Sequence, residues 1–291
     1  MKNTKQKLLI ITGPTGIGKS SLGVSLAKKL GGEIIGADSM QIYQGLDIGT
    51  GKITQDEMQG IPHHMIDILD LADEYSAGKW VKDARQVIRE IAGRGRLPII
   101  VGGTGLYIQS LLCGHEFSGV IKDEGLRGEL SKLSKEELYE RLRAVDENAC
   151  QKIFMNDTKR VIRALEIFYL TGKKKSESVD KAVSEYDYEC RVLCMDRERL
   201  YARIEARVDA MMKDGLLEEA RGLFDKHFSN IVDNDKGGWN AIGYKELFEY
   251  FKGIISFDRA IELIKQNSRR YAKRQITFFK NMSVDKVFIE I

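Results

Sequence analysis

The chain has 291 residues, 43% hydrophobic and 31% charged, with a formal net charge of +3 and only 3 prolines. That composition fits one large globular domain, or one core carrying an inserted subdomain, and excludes a disordered chain. A net charge this small does not by itself imply a polyanion partner, and no apolar stretch approaches transmembrane length.

Leu8 to Thr12 predicts a buried strand, being short, apolar and followed by Gly and Pro. Lys19 to Leu30 predicts a helix, because Leu22, Leu26 and Leu30 recur four apart. A second strand is expected at Glu33 to Ala37, ending at Asp38, and a fainter one at Met65 to Leu69. Ser76 to Arg94 reads as a helix with Val81, Ala84, Ile88 and Ile91 on one face. Pro98 to Val101 is another short buried strand, running into Gly102-Gly103-Thr104-Gly105 and a helix. Buried strands alternating with helices predict a parallel α/β sheet covered on both faces.

The pattern changes near Glu116. From Lys122 to Tyr186 the signals are helical, with a capping box at Ser134 to Glu137 and a helix from Arg160 to Leu170 that stops at Thr171-Gly172. A strand returns at Arg191 to Met195. Helices are then expected at Glu198 to Met212, Leu216 to His227, Ala241 to Phe251 and Phe257 to Phe279, and a last strand at Val287 to Ile291. The expected fold is therefore α/β, a P-loop NTPase-like parallel sheet flanked by helices. Residues 1–118 and 188–291 would form the core with its C-terminal helices, and 119–187 an inserted helical subdomain. Cys113, Cys150, Cys190 and Cys194 form no CxxC pair and have no accompanying His cluster, so free thiols in a reducing cytoplasm are expected.

Gly13-Pro14-Thr15-Gly16-Ile17-Gly18-Lys19-Ser20 satisfies GxxxxGK[ST] between an expected strand and an expected helix. The glycines let backbone N–H groups turn inward around phosphate oxygens, and the helix aims its positive end at them. Lys19 neutralises phosphate charge, and the Ser20 hydroxyl suits a Mg²⁺ ligand. A P-loop ATPase usually has an Asp at the end of a core strand to help hold the metal, yet Pro98 to Val101 runs into Gly-Gly-Thr. The Asp that directly follows a core strand is Asp38. Carboxyl ends of strands border the ligand crevice of open α/β sheets, so Asp38 and Thr104 should both face the phosphate site.

Lys159, Arg160 and Arg163 share a narrow arc of one helix, opposite Val161, Leu165 and Phe168. Lys265, Arg269, Arg270, Lys273, Arg274 and Lys280 form a second basic run, interleaved with Tyr271, Phe278 and Phe279. Either run alone reads as a solvated helix face with core aromatics. Two of them beside a phosphate loop suit single-stranded RNA, whose phosphates take cations and whose bases stack on aromatics. Arg203 and Arg207 edge the apolar stripe of Ile204, Val208 and Met211, where an Arg can reach a diphosphate bidentately.

Taken together the segments resemble the tRNA dimethylallyltransferases (tRNA isopentenyltransferases) in their short bacterial form. The matching pieces are GPTGIGKS from Gly13, ADSMQIYQGLDIGTGK from Ala37, Tyr75-Ser76-Ala77 and GRLPIIVGGTGLYIQSLL from Gly95. NDTKRVIRALEIFYLTGK from Asn156, RIEARVDAMMKDGLLEEA from Arg203, AIGYKE from Ala241 and RRYAKRQITFF from Arg269 follow in order. Lys122 to Leu130 depart from the family pattern. The resemblance implies transfer of a dimethylallyl group from dimethylallyl diphosphate to N6 of the adenosine just 3′ of the tRNA anticodon, with Mg²⁺ as cofactor. It places the Thr15 hydroxyl near the bridging oxygen. Lys19, Ser20-bound Mg²⁺ and Arg207 would stabilise the leaving diphosphate, and Asp38 would take the proton from N6. Adenine N6 is unreachable in a stacked loop, so the base should flip into the core past Ser39, Met40, Gln41 and Thr104. Lys159, Arg160 and Arg163 would touch the tRNA anticodon stem-loop, and Arg270, Lys273 and Arg274 its backbone. The chain is read as a monomer with no membrane partner. Rival readings are an isopentenyltransferase acting on free adenine nucleotides, a P-loop kinase of a small metabolite, and a noncatalytic RNA-binding module.

Overall fold

The computed structural model describes residues 5–113, 122–177, 184–233 and 237–291. These residues fall into two compact units, one of 1–112 with 184–291 and one of 113–183. Positions 119–121 and 178–183 of the expected helical subdomain lie outside the described residues.

The larger unit is built on a six-stranded, all-parallel sheet. In chain order its elements are β1 (Gln6–Thr12), α1 (Lys19–Leu30), β2 (Gly32–Gly36), α2 (Gln55–Met58), β3 (His63–His64), α3 (Ala77–Gly93), β4 (Leu97–Gly102) and α4 (Gly105–Leu112). The smaller unit contributes α5 (Glu124–Leu130), α6 (Lys135–Val145) and α7 (Thr158–Thr171). The chain then gives β5 (Tyr186–Cys194), α8 (Arg197–Lys213), α9 (Leu216–Asp233, kinked at His227), α10 (Tyr244–Phe251), α11 (Phe257–Asn281) and β6 (Val287–Glu290). The sheet order is β3-β2-β4-β1-β5-β6.

Period-two alternation sorts the strand side chains between two faces. Leu8, Ile10, Ile35 and Ile100 pack with Trp80, Ile88 and Tyr107 from α3 and α4 and with Phe279 of α11. Leu9, Ile11, Ile34, Ile99 and Leu193 pack with Val24 of α1 and with Leu200 and Ile204 of α8. Burial on both faces is why these strands read as continuous apolar runs. A separate core, including Tyr43, Leu46, Phe224, Tyr244 and Ile264, joins the 40–71 segment to α8 through α11.

Two expectations need correction. The strand expected at Met65 to Leu69 is instead β3 at His63–His64, and Leu69 makes only an isolated bridge to Tyr43. Met65 and Asp67 take positive φ (63° and 54°), which a strand cannot accommodate. β5 also begins five residues before the expected start, because its exposed Asp187 and Glu189 dilute the apolar signal while still pairing with Lys7 and Leu9 of β1.

The smaller unit has its own core, in which Leu130, Leu138, Leu142, Val161 and Leu165 pack together. The expected capping box is present, with the Ser134 hydroxyl accepting from the Glu137 amide and the Glu137 carboxylate accepting from the Ser134 amide. Within this core Glu166 is fully buried. Its carboxylate accepts from Arg127 at 2.7 Å through both oxygens, from Arg163 at 2.5 Å and from the Asp123 amide at 2.9 Å. Burial pushes this carboxyl up, but those hydrogen bonds overcome it and hold the pKa at about 2.

Candidate active site

The site grows from the carboxyl end of β1. Thr12 is buried and its hydroxyl donates to the Gly102 carbonyl at 2.8 Å, fixing the end of β1 to the end of β4. Gly13 follows with φ 146°, and a Cβ there would sit 2.7 Å from the Leu193 carbonyl of β5, so only glycine passes. The loop then turns through Gly16 and Gly18, both at positive φ, into the first turn of α1. Ile17 points its side chain into the core, so only its backbone can face a ligand.

Lys19 is half-buried and its ammonium donates to the Pro14 carbonyl at 2.9 Å. Burial lowers its pKa to about 8, against the pull of nearby Asp38 and with a push from Arg207. A lysine drawn partly out of water gains from a doubly charged phosphate partner. Asp38 stands just past β2, where its Oδ1 accepts from the amides of Met40 at 2.9 Å and Gln41 at 3.4 Å. Arg207 reaches in from α8 and donates to the Gly51 carbonyl at 3.3 Å. A Cβ on Gly51 would lie 1.5 Å from that guanidinium, so this glycine makes the space Arg207 occupies.

Loop 47–52 is tightly held. The Glu219 carboxylate of α9 accepts from the amides of Ile48 and Gly49, and Tyr244 both donates to Glu219 and accepts from Gly49 at 3.0 Å. Lys52, whose side chain is 5% exposed, ties the Tyr43 carbonyl to Asp47 and Asp67. Gln41 donates to the carbonyls of Thr50 and Gly51, both at 3.2 Å. Lys52, Glu219 and Tyr244 each lie in a segment that resembles the family, but the three segments are far apart in the chain and nothing in the sequence pairs them; only the fold shows that they hold one loop.

Two cavities meet here. The first, about 570 Å³, is lined by the phosphate loop with Ser20, Gln41, Arg203 and Arg207. The second, about 260 Å³, has an apolar wall of Ile204, Val208, Met211, Leu216 and Ile264, with Ser39, Met40, Tyr271 and Arg274 opposite. Thr15, Asp38, Thr50 and Arg207 line both. Thr104 stands outside these walls; its hydroxyl accepts from the Ser39 amide at 3.0 Å and so aims that residue.

The fold thus gathers Thr15, Lys19, Ser20, Asp38, Gln41 and Arg207 into one cleft. Arg270 and Lys273 are exposed on α11, away from both cavities. Lys265 pairs with Asp209 and Arg269 with Glu205, both on α8. Phe279 is core and Phe278 packs against it, so these two rings do not offer a stacking platform. In the smaller unit Lys159 and Arg160 are exposed, whereas Arg163 is drawn to buried Glu166.

The donors at the cleft suit a hard divalent cation. Among the described residues no group of three or more His, Cys, Asp and Glu could hold an ion. The Ser20 hydroxyl and Asp38 carboxylate offer hard oxygens only, too few for a complete protein shell. That fits Mg²⁺, which keeps several waters and takes its remaining ligands from substrate phosphates.

This cleft can hold a diphosphate against a cationic wall, beside an apolar pocket, with one carboxylate at the junction. Comparison with known proteins decides the family. A family model described as IPP transferase matches residues 41–282, and a second, described as Isopentenyl transferase, matches residues 6–75. The chain belongs to the IPP transferase family. It is 49% identical to the tRNA dimethylallyltransferase of Geobacillus kaustophilus over 289 residues, 97% of this chain and 90% of that one. It is 48% identical to the tRNA dimethylallyltransferase of Bacillus subtilis over 287 residues, again 97% and 90%. The tRNA isopentenylpyrophosphate transferase structure from Bacillus halodurans superposes with TM-score 0.73 at 42% identity, covering 98% of this chain and 90% of that one. A eukaryotic dimethylallyltransferase captured acting on tRNA superposes with TM-score 0.85 at 32% identity, covering 98% and 74%.

Proposed function

We propose that this enzyme transfers the dimethylallyl group of dimethylallyl diphosphate to N6 of the adenosine 3′-adjacent to the anticodon of tRNA, releasing diphosphate. The observation that carries the reading is the meeting of a phosphate-loop cleft and an apolar cavity at Thr15, Asp38, Thr50 and Arg207. A substrate with a diphosphate on one side of its breaking bond and a short hydrocarbon on the other matches that division.

The diphosphate lies in the larger cleft, held by the loop amides, Lys19 and Arg207, with Arg203 at its edge. The dimethylallyl tail and the flipped adenine share the apolar cavity. N6 attacks C1 of the dimethylallyl group, the C1–O bond breaks, and the diphosphate leaves with the bonding pair. The proton released from N6 passes to the Asp38 carboxylate. Met40 and Gln41 amides fix one oxygen of that carboxylate, leaving the other to face the base. Thr15 presents its hydroxyl to the bridging oxygen, and Arg207 stabilises charge as it develops there. Mg²⁺, held by Ser20 with Asp38 nearby, would supply further neutralisation of the leaving diphosphate. Burial of Lys19 and Arg207 concentrates their effect, because charges act more strongly away from water.

Lys159 and Arg160, with Arg163 beside them, hold the anticodon stem-loop, and Arg270, Lys273 and Arg274 hold tRNA phosphates. In this reading the reaction runs in the cytoplasm, which a tRNA substrate and four free thiols support, and the enzyme acts as a monomer. No helix among the described residues is long and apolar enough to cross a membrane.

The test is transfer of radiolabelled dimethylallyl diphosphate to tRNA lacking the modification, with Mg²⁺ and a parallel AMP control. Label at the adenosine beside the anticodon, and none in AMP, is expected. Label in AMP would assign the enzyme to free nucleotides. No transfer to either, with the diphosphate intact, would sink the reading.

A further inference from the structure

One side chain on the basic C-terminal helix does something a surface helix does not require. Gln275 of α11 is 5% exposed. Its Oε1 accepts from the Thr15 amide at 2.8 Å, and its Nε2 donates to the Gly103 carbonyl at 3.0 Å. One amide therefore bridges the loops that follow β1 and β4. Gly103 makes room for it, since a Cβ there would sit 2.3 Å from Nε2. Tyr271, one turn earlier, walls the apolar cavity. The Thr15 amide is thus fixed by α11.

The same turn carries Arg270 and Lys273, exposed and outside both cavities, and Arg274, exposed at the rim of the apolar one. Arg274 also lies over the Tyr271 ring at 5.7 Å. α11 is one helix of 25 residues, so a phosphate backbone gripping its cations restrains the turn that holds Gln275.

We propose that Gln275 is a positioning residue that couples tRNA docking on α11 to order in the diphosphate loop. This rests on tRNA being the substrate. tRNA seated on the outer face pays part of the ordering cost of Thr15, so diphosphate then binds at lower cost, and the reverse holds by linkage. The side chain must be an amide. Methionine fills the volume but gives the Thr15 N–H and the Gly103 carbonyl no partner, and glutamate keeps the first contact while repelling the second.

The experiment measures the dissociation constant of inorganic diphosphate with Mg²⁺, with and without unmodified tRNA, in wild type, Gln275→Met and Gln275→Glu. Thermal melting confirms that each variant is folded. In wild type, tRNA should tighten diphosphate binding by about fivefold or more. That ratio should fall toward one in Gln275→Met; in Gln275→Glu, which keeps the Thr15 contact and loses the tie to Gly103, it should fall part of the way, and an unchanged ratio there counts against the coupling if the methionine variant does not fold. Amide exchange across residues 13–18 should slow when tRNA binds wild type. A purely structural Gln275 would lower melting temperature and both affinities while leaving the ratio intact, which overturns the proposal. A wild-type ratio of one with tRNA bound overturns the coupling alone. Failure of tRNA to bind wild type removes the functional reading and this proposal with it.

Discussion

Asp38→Asn isolates the base from the rest of the cleft. Asparagine keeps an oxygen where Oδ1 now accepts from the amides of Met40 at 2.9 Å and Gln41 at 3.4 Å, so the turn after β2 is preserved. The second oxygen becomes an NH₂ group that cannot take a proton. A positioned general base contributes roughly 10²–10⁴ in rate, about 3–5 kcal/mol of barrier. Steady-state transfer kinetics should therefore show kcat lower by that factor. Diphosphate affinity should not weaken, because the substitution removes a negative charge from a cleft that binds an anion. It also removes the pull that Asp38 exerts on Lys19, so the ammonium should lose its proton at lower pH than in wild type. A variant with kcat within about threefold of wild type would refute the base role; one with both kcat and diphosphate affinity lost would make Asp38 a binding or metal residue instead.

Gly51→Ala should lower diphosphate affinity about tenfold or more, since its Cβ would displace the Arg207 guanidinium; calorimetric titration of inorganic diphosphate checks it. Lys19, with a pKa near 8 where the unfolded value is 10.5, binds fewer protons folded than unfolded between those limits. Unliganded stability should consequently gain from this group as pH rises from about 8 to 10.5, while diphosphate affinity falls over the same interval, read by chemical denaturation and titration in parallel. Glu166 gives the same slope in the acid range. Its carboxyl is held at about 2 against 4.5, so its contribution, about 3 kcal/mol, is complete above pH 4.5 and lost as pH falls toward 2. Glu166→Gln should cost the 113–183 unit a similar amount at neutral pH, measured by thermal or urea unfolding. For tRNA, the exposed Lys159, Arg160, Arg270, Lys273 and Arg274 predict a slope of roughly −4 in log affinity against log salt. Salt-independent binding would remove the RNA role from both basic faces.

The sequence by itself determined whatever a local rule dictates. The loop from Gly13 to Ser20 is legible because phosphate cradling demands glycines, a lysine and a hydroxyl at fixed spacing. The doubly covered sheet is legible because strands such as Leu8 to Thr12 must be apolar on both faces. Asp38 was found because a carboxylate following a buried strand lands at the ligand edge of the sheet. Tertiary structure decided what depends on residues far apart in the chain. The 156-residue separation of Gly51 and Arg207 hides the contact that shapes the cationic wall, and Gln275 touches Thr15 across 260 residues. The two basic runs look alike in sequence, yet burial and pairing divide them. Arg163 leans on Glu166 and Phe279 fills the core, while Arg270 and Lys273 stay in water, as does Arg160 beside Asp157. A helix pattern reports which face is apolar; only the packed neighbours report whether a charge on its edge already has a partner.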